Sequence, residues 1–319
     1  MSTTAFPVNP QLTAIAMAYR NPAATLIADE VLPRVPTAKK FTWTSYDPAQ
    51  GYSIPKTLVG RKSEPTQVDF SGTLVNDETL DYGLDDIVPI DEIEAWRAMP
   101  KPEGGGGPAN PLELSTMYLE GLIQLDREVR VAARVFNTAS YPVGNQQTLS
   151  GTSQWSDFAN SNPLDAILAA LDIPLFRPNL AIFGQATYTK LRQHPAIVQA
   201  VYGTAQTRGT VSRDQLAKVL EIEKVVVGAG FVNTARKGQA ATNARVWGKS
   251  AAFIYSDLMA AKTGQPTFGF TAQFGTKVAG SIPEPKKGLR GSELVRNGES
   301  VKEVISAGGL GYYFNAAVA

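Results

Sequence analysis

The longest regular pattern of apolar and polar positions lies between residues 110 and 140. Apolar side chains recur there at steps of three and four, the spacing of one face of an α-helix. These side chains are Leu114, Tyr118, Leu122, Leu125, Val129, Ala132 and Phe136. Asn110 is a good N-cap, Pro111 suits the first helical position, and Glu113 is placed as the acid of a capping box. The pattern predicts a helix over residues 110–137, far longer than the usual three turns.

A different pattern precedes this helix. Residues 41–46 are rich in β-formers, and apolar and polar side chains alternate over residues 68–84. A stretch rich in Pro, Gly and charge separates the two. We expect a two-stranded excursion over residues 41–84 with one apolar face. Because an isolated hairpin is marginal in water, that face should lie on a neighbour.

The two ends of the chain differ in character. Residues 1–40 hold two short apolar segments separated by prolines, too small for a core of their own, so this arm must lie on something else. Residues 155–260 alternate between helical segments and short strands, which predicts a compact α/β lobe. Residues 261–319 are rich in strand patterns, and Asn297-Gly298 predicts a hairpin turn between two of them. The predicted class is α+β.

Composition excludes several kinds of protein. The 319 residues contain no cysteine, which excludes disulfides and thiolate chemistry, and no apolar run is long enough to span a membrane. The net charge is only +1, but residues 1–62 are mostly basic and residues 63–103 mostly acidic. Adjacent segments of opposite sign favour complementary contacts between copies. Charge alone favours solvated faces without a specific partner equally well.

Motifs for catalysis or cofactor binding are incomplete. The strand-like run that ends in Gly228 and Gly230 resembles the start of a dinucleotide fingerprint, but its third glycine position is Asn233. Gly248-Lys249-Ser250 resembles the end of a P-loop without its first glycine. His194 is the only histidine, at the end of a predicted helix, where helix capping or surface exposure is expected. We therefore predict no catalytic, cofactor or metal site.

The order of these elements resembles the major capsid proteins of tailed bacteriophages, in the HK97-like fold superfamily. Local phrases at residues 12–19, 28–33, 79–84, 246–251 and 308–314 are similar to that superfamily as well. The resemblance implies an N-terminal arm (1–40), an extended loop (41–84), a peripheral domain (85–154 and 261–319) with the spine helix 110–137, and an axial domain (155–260). The alternatives are an encapsulin-like nanocompartment shell and an α/β enzyme of small oligomeric size.

The resemblance also implies function and partners. Hexamers and pentamers of the chain would form an icosahedral head shell around double-stranded DNA, assembled in the host cytoplasm and found in the virion, without a membrane. Because the arm begins almost at Met1, we expect a separate scaffolding protein, or none, together with a portal and possible decoration proteins. The candidate contacts between subunits are Leu12, Ile15, Tyr19, Lys39, Lys40, Trp43, Arg61, Lys62, Phe70, Asp85 and Asp86.

Overall fold

The computed structural model describes residues 6–20, 25–45, 54–68, 72–100, 109–206, 208–236, 238–263 and 265–319. Its helices are α1 Pro10–Ala18, α2 Ala28–Val31, α3 Ile90–Ala98, α4 Pro111–Val135, α5 Pro163–Leu171, α6 Gln185–Leu191, α7 Pro195–Tyr202, α8 Arg213–Leu220 and α9 Leu258–Thr263. Its strands are β1 Arg34–Thr37, β2 Lys40–Ser45, β3 Thr73–Glu78, β4 Leu80–Pro89, β5 Gln146–Thr148, β6 Leu180–Gly184, β7 Lys224–Gly228, β8 Phe231–Asn233, β9 Asn243–Arg245, β10 Ala251–Ile254, β11 Gly269–Glu284, β12 Ser292–Ile305 and β13 Gly311–Asn315.

Two sheets carry most of the fold. The first has the strand order β1-β11-β12-β4, and α4 lies across one face of it, where Leu119 packs with Val88 and Val295. The second has the order β5-β13-β10-β6-β7, with α5, α7 and α8 beside it. A further apolar cluster joins α2, α4 and the second sheet, which links the two lobes.

The long helix forms as its sequence predicts. The Asn110 side chain accepts a hydrogen bond from the Leu112 amide at 3.2 Å, and Pro111 opens the helix. The helix ends at Val135, where the Phe136 amide donates to the carbonyl of Ala132. Its 25 residues give a length of about 37 Å at 1.5 Å per residue. The prediction of a helix over 110–137 is confirmed to within two residues at each end.

The extended loop ends earlier than predicted. Strands β2 and β3 pair from Lys40 opposite Glu78 to Ser45 opposite Thr73, which confirms a two-stranded ribbon. Residues 80–84 belong instead to β4, which pairs with β12 in the first sheet. Thr79, only 1% exposed, separates the two, and its amide donates to the Lys39 carbonyl at 2.9 Å. The hydrophobic alternation continues through this residue, so sequence alone did not reveal the boundary.

Asn297-Gly298 does not form a turn, and that prediction is wrong. Both residues lie within β12, which runs without interruption from Ser292 to Ile305. The buried Asn297 side chain donates to Glu120 of α4 at 3.0 Å. Gly298 is needed for packing, because a Cβ there would lie 2.7 Å from the carbonyl oxygen of Tyr82 on β4. The pair therefore serves a close approach of two strands and a buried hydrogen bond.

The second sheet also contains strands from outside the range predicted for the α/β lobe. Strands β13 (Gly311–Asn315) and β5 (Gln146–Thr148), assigned by sequence to the peripheral domain, pair within the second sheet. Phe314 packs against Phe253 in the core of that lobe, with ring centroids 6.1 Å apart. The lobe predicted over 155–260 therefore requires two segments from outside that range, because β10 would otherwise have an uncovered edge.

Candidate assembly surfaces

The tip of the extended loop, residues 54–68, is exposed throughout. Ile54 is 96% exposed and Leu58 is 81% exposed, while the cations Arg61 and Lys62 lie beside them in a turn. The loop tip has hydrogen bonds of its own, such as that from the Thr66 hydroxyl to the Lys56 carbonyl at 2.8 Å. Its conformation is therefore supported locally, while its apolar side chains lie in water.

The base of the loop is anchored to its own chain. Phe41 and Trp43 pack against a cluster that contains Val35 and Phe270. A cavity of about 250 Å³ lies beside them. The Trp43 indole N–H is buried and has no hydrogen-bond partner within the described ranges. Trp43 thus fixes the root of the loop; the predicted contact residue Phe70 lies outside the described residues.

Three of the six predicted charged contact residues, Lys39, Asp85 and Asp86, have partners within the chain. Lys39 pairs with Asp81 at 2.9 Å, and Arg296 donates two hydrogen bonds of 2.7 Å to the Asp85 carboxylate. Hydrogen bonding from Arg296 lowers the pKa of Asp85. Asp86 accepts a 2.7 Å hydrogen bond from the Ser115 hydroxyl of α4.

Further cations of the chain approach the same acidic segment. Lys302 approaches Asp77 and Arg290 approaches Asp91, each at 3.3 Å. Lys40, by contrast, is exposed at the start of β2. The acidic segment is therefore partly neutralised by β12 and by the turn before it.

The arm lies on its own subunit, and its candidate contacts with another copy, at Leu12, Ile15 and Tyr19, stay predictions. Leu12, 3% exposed, packs with Ala16 and Ala279, and Ile15 lies partly buried in the same cluster. Tyr19 is partly buried against α4, at the point where Gly121 leaves room for its ring. Leu12 therefore offers no surface to another copy in this conformation.

A buried carboxylate fastens the arm to α4. Glu128 accepts hydrogen bonds from the amides of Ile27 and Ala28 at 2.9 and 2.7 Å, and also from the indole N–H of Trp247. Burial raises the pKa of Glu128, although the hydrogen bonds from Ile27, Trp247 and Ala28 oppose that shift. One side chain thereby joins the arm, the long helix and the second lobe.

An ionic cluster lies next to this contact. Arg127, 2% exposed, pairs with Asp29 and donates to the Leu32 carbonyl at 3.2 Å. Arg34 joins Asp29 at 2.7 Å and Glu299 of β12 at 2.6 Å. Burial acts to raise the pKa of Asp29, but the charges of Arg127 and Arg34 outweigh it and lower the pKa to about 2. Sequence reasoning missed these residues, since charges within a helix give no sign of their partners.

The apolar face predicted for α4 is exposed over most of its length. We call Leu114, Tyr118, Leu122, Leu125 and Val129 the outer stripe. Four of these side chains are between 36% and 68% exposed, and Leu125 is partly buried. The opposite face buries Leu119 and Ile123, but also Glu120, Arg127 and Glu128. The helix therefore buries charged residues together with apolar ones and leaves the outer stripe open.

Comparison with known proteins assigns the family. No family model matches the sequence. The chain is 48% identical, over 322 residues covering all of both proteins, to the major capsid protein of Pseudomonas phage JBD67. The chain belongs to the phage major capsid proteins. This capsid protein is also 26% identical to the major capsid protein of Burkholderia phage BcepMu, over 96% of this chain and 95% of that one.

Solved structures agree with the fold. The capsid protein superposes on a phage-related protein from Bordetella bronchiseptica with a TM-score of 0.76, at 20% identity over 98% of this chain and 99% of that one. It superposes on the capsid structure of cyanophage P-SCSP1u with a TM-score of 0.55, at 11% identity over 100% of this chain and 93% of that one. The fold is HK97-like, as the resemblance implied. The role is structural rather than enzymatic, and the enzyme alternative falls away.

The motifs that imitate enzyme sites have packing roles in the capsid protein. A Cβ at Gly228 would lie 2.0 Å from the Trp247 ring, so this glycine admits the indole that bonds to Glu128. His194 is the N-cap of α7 and accepts from the Ala196 amide at 3.2 Å, but it is 1% exposed, so exposure was the wrong alternative. Within the described ranges no cluster of potential metal ligands occurs, and no helix has the length and apolarity to cross a bilayer.

Proposed function

We propose that copies of this capsid protein assemble into an icosahedral head shell of hexamers and pentamers that encloses double-stranded DNA. The shell would assemble in the host cytoplasm and become part of the virion. The observation that carries the proposal is the exposed loop tip, whose apolar side chains its own subunit leaves uncovered. In a closed shell every subunit has another copy beside it, and that copy would cover the loop tip.

The loop tip supplies the apolar part of the proposed contact. Ile54 and Leu58 are almost fully exposed, and burial of such side chains contributes about 1.5–3 kcal/mol each. The ribbon β2–β3 precedes and follows the loop tip in the chain, and Trp43 packs at its root. Small interface energies repeated around closed symmetry would sum to a stable container.

Charge complementarity supports α3 as the surface on which the loop tip would lie. Lys56, Arg61 and Lys62 are exposed cations of the loop tip. Helix α3 presents the exposed acids Glu92 and Glu94, while its Asp91 is paired with Arg290. We therefore place the loop tip of one subunit on α3 of the next. The attraction between exposed charges should weaken as salt is raised.

The lobes and the remaining partners follow from the family's architecture. The first sheet with α4 would form the peripheral domain, and the second sheet would form the axial domain around the centres of hexamers and pentamers. A separate scaffolding protein, a portal and decoration proteins are proposed partners. The net charge of +1 suits a DNA container, because a strongly basic inner wall would trap DNA during packaging.

Particle size tests the shell. Light scattering and negative-stain images of the purified chain should show closed particles with masses on the order of megadaltons. Particles isolated from infected cells should retain DNA after nuclease treatment. A stable species no larger than about four times the 34.2 kDa subunit, with no particles, would contradict the shell. Particles that retain an enzyme instead of DNA would contradict the proposed cargo.

A charge exchange tests the contact itself. Arg61→Glu with Lys62→Glu should abolish particles, as should Glu92→Lys with Glu94→Lys, because each places like charges opposite one another. All four changes together should restore assembly. Lys286→Glu, an exposed cation on the β11–β12 turn, is the matched control and should assemble normally. Normal assembly of both double variants would refute the α3 contact while leaving the shell standing.

A further inference from the structure

The outer stripe of α4 continues into a groove. Tyr118, Leu122 and Leu125 form one wall, while Tyr19 and Phe231 contribute to the others, around a volume of about 270 Å³. Phe231, at the start of the β8–β9 hairpin, is 51% exposed. Aromatic and aliphatic side chains from three separate elements thus meet at one exposed surface. Such surfaces on soluble proteins mark sites of interaction.

The shape of this surface fits a helix. The stripe repeats at steps of four, four, three and four residues from Leu114 to Val129. These 15 steps span about 22 Å, four turns, along a straight helix axis. A partner helix can pack its own apolar side chains against such a row. An extended strand would not match it, since its side chains alternate between two faces every two residues.

The β8–β9 hairpin, which contributes Phe231 to the groove, is basic. Between Lys224 and Ser256 the chain contains no Asp or Glu, and the β8–β9 hairpin carries Arg236 and Arg245 as exposed cations. The Arg245 guanidinium lies 3.8 Å from the centre of the Phe231 ring, at the edge of the groove. Arg20, at the end of α1, is exposed as well.

The acids near the stripe are already engaged. On its other flank Asp126 is paired with Arg130. At its N-terminal end Glu113 accepts a hydrogen bond from the Gln11 side chain at 3.0 Å. The surface therefore combines an apolar row with an excess of positive charge.

We propose that the outer stripe and the β8–β9 hairpin together bind an acidic amphipathic helix supplied by a different protein. The apolar face of that helix covers Leu114, Tyr118 and Leu122, and its acidic flank meets Arg236 and Arg245. The loop tip of a second copy is a poor occupant, because its Lys56, Arg61 and Lys62 carry the same sign as the hairpin. DNA would pair with the arginines but leave the apolar row in water. The site belongs to the single subunit and does not depend on the shell.

Three labelled helical peptides, each of about five turns, test this. The first has leucines at steps of three and four with glutamates on both flanks; the second replaces the glutamates by lysines; the third scrambles the first. Anisotropy is measured with the full chain, at a protein concentration where light scattering shows unassembled subunits. The acidic amphipathic peptide should bind about tenfold more tightly than either of the others.

Matched variants locate the site. Tyr118→Ser with Leu122→Ser should weaken that binding by about tenfold, whereas Val143→Ser with Leu289→Ser, two residues 88% and 100% exposed elsewhere, should leave it unchanged. Arg236→Gln with Arg245→Gln should remove the preference for glutamate over lysine flanks. Circular dichroism melting curves of all variants check that folding is unchanged.

Four results would overturn the proposal. The glutamate and lysine peptides could bind equally well to the unchanged chain. The stripe variant could bind as tightly as the unchanged chain. A short DNA duplex could displace the acidic peptide, which would assign the surface to nucleic acid. Lastly, the unchanged chain could form a dimer that the stripe variant loses, which would assign the stripe to a second copy.

Discussion

The arm and the loop tip are both chain segments without a core of their own, yet their surroundings differ. The arm lies on its own subunit, where Leu12 is 3% exposed and Glu128 accepts the amide hydrogen bonds of Ile27 and Ala28. The loop tip exposes Ile54 and Leu58 almost completely. Of these two segments, only the loop tip therefore needs a neighbour to cover it.

The difference shows what holds a segment without a core of its own on its own subunit. Apolar contact alone does not hold the arm, because α4 also places Arg127 and Glu128 beneath it. These charges would be costly if unpaired, so the arm and the helix each satisfy the polar groups of the other. Among the residues that the structure describes, the apolar side chains of the loop tip have no such cover. Changes in each segment can test this distinction.

The largest effect is expected at Glu128. Glu128→Ala leaves the amides of Ile27 and Ala28 and the indole of Trp247 without their acceptor, which should lower the free energy of unfolding by about 3–5 kcal/mol. Urea denaturation of the unassembled subunit measures this loss of unfolding free energy. Asp126→Ala, on the exposed face of the same helix, should cost about 0.5 kcal/mol or less. A similar small loss for both variants would show that the carboxylate does not fasten the arm.

A pair of leucine truncations compares the two segments directly. Leu12→Ala should lower the free energy of unfolding by about 2–3 kcal/mol, because it opens a cavity between the arm and Ala279. Leu58→Ala, at an 81% exposed position, should change it by about 0.5 kcal/mol or less but reduce the yield of particles. If Leu58→Ala instead destabilised the free subunit, the loop tip would be covered by its own chain.

Trypsin should distinguish the segments in the unmodified protein. The loop tip offers Lys56, Arg61 and Lys62 in exposed irregular backbone, whereas Arg34 lies in β1, paired with β11. Cleavage in the loop tip of free subunits should be about tenfold faster than cleavage after Arg34, since the latter requires local unfolding. Assembled particles should resist cleavage in the loop tip. Equal rates in subunits and particles would argue against a contact there.

The smallest effect concerns pH. Because its pKa is lowered to about 2, Asp29 contributes stability that is present above pH 4 and is lost as pH falls through that lower value. Glu128 has the opposite effect on the pH dependence of stability, since its raised pKa favours protonation in the folded state. Acidification should therefore destabilise the wild type more than Asp29→Asn, by about 1 kcal/mol or less, because the Asp29 side chain is 64% exposed. Urea curves at pH 6 and 2 measure this difference; an equal loss in both proteins would assign the acid sensitivity elsewhere.

Local patterns predicted the elements of this fold well. The three-and-four spacing and the Asn110-Pro111 cap located α4; β-forming residues located β2, and alternation located β3 and β4. Both signals are encoded within a few neighbouring residues, so one sequence suffices to detect them. The turn prediction for Asn297-Gly298 failed because the contact that requires this glycine is not local in sequence. The close approach of Tyr82 that requires the glycine comes from a strand more than 200 residues away in the chain.

The candidate surfaces were only partly predictable. Exposed cations at Arg61 and Lys62 follow from a stretch rich in Pro and Gly, and those residues are exposed as expected. The direction in which α4 presents its apolar side was not predictable. A helical pattern shows that residues share a face, but whether Glu128 on another face has partners depends on the arm and on Trp247. The buried face combines apolar residues such as Leu119 and Val131 with charges whose partners lie far away in the chain.

The short connection at Thr79 has a mechanical consequence. Since one buried residue separates β3 from β4, the returning strand of the loop continues directly into the edge strand of the first sheet. A pull on β3 would be transmitted to β4 along nearly extended backbone, which has little slack to absorb it. We therefore expect a load applied to the β2–β3 ribbon to reach the sheet beneath α4 through this single-residue connection.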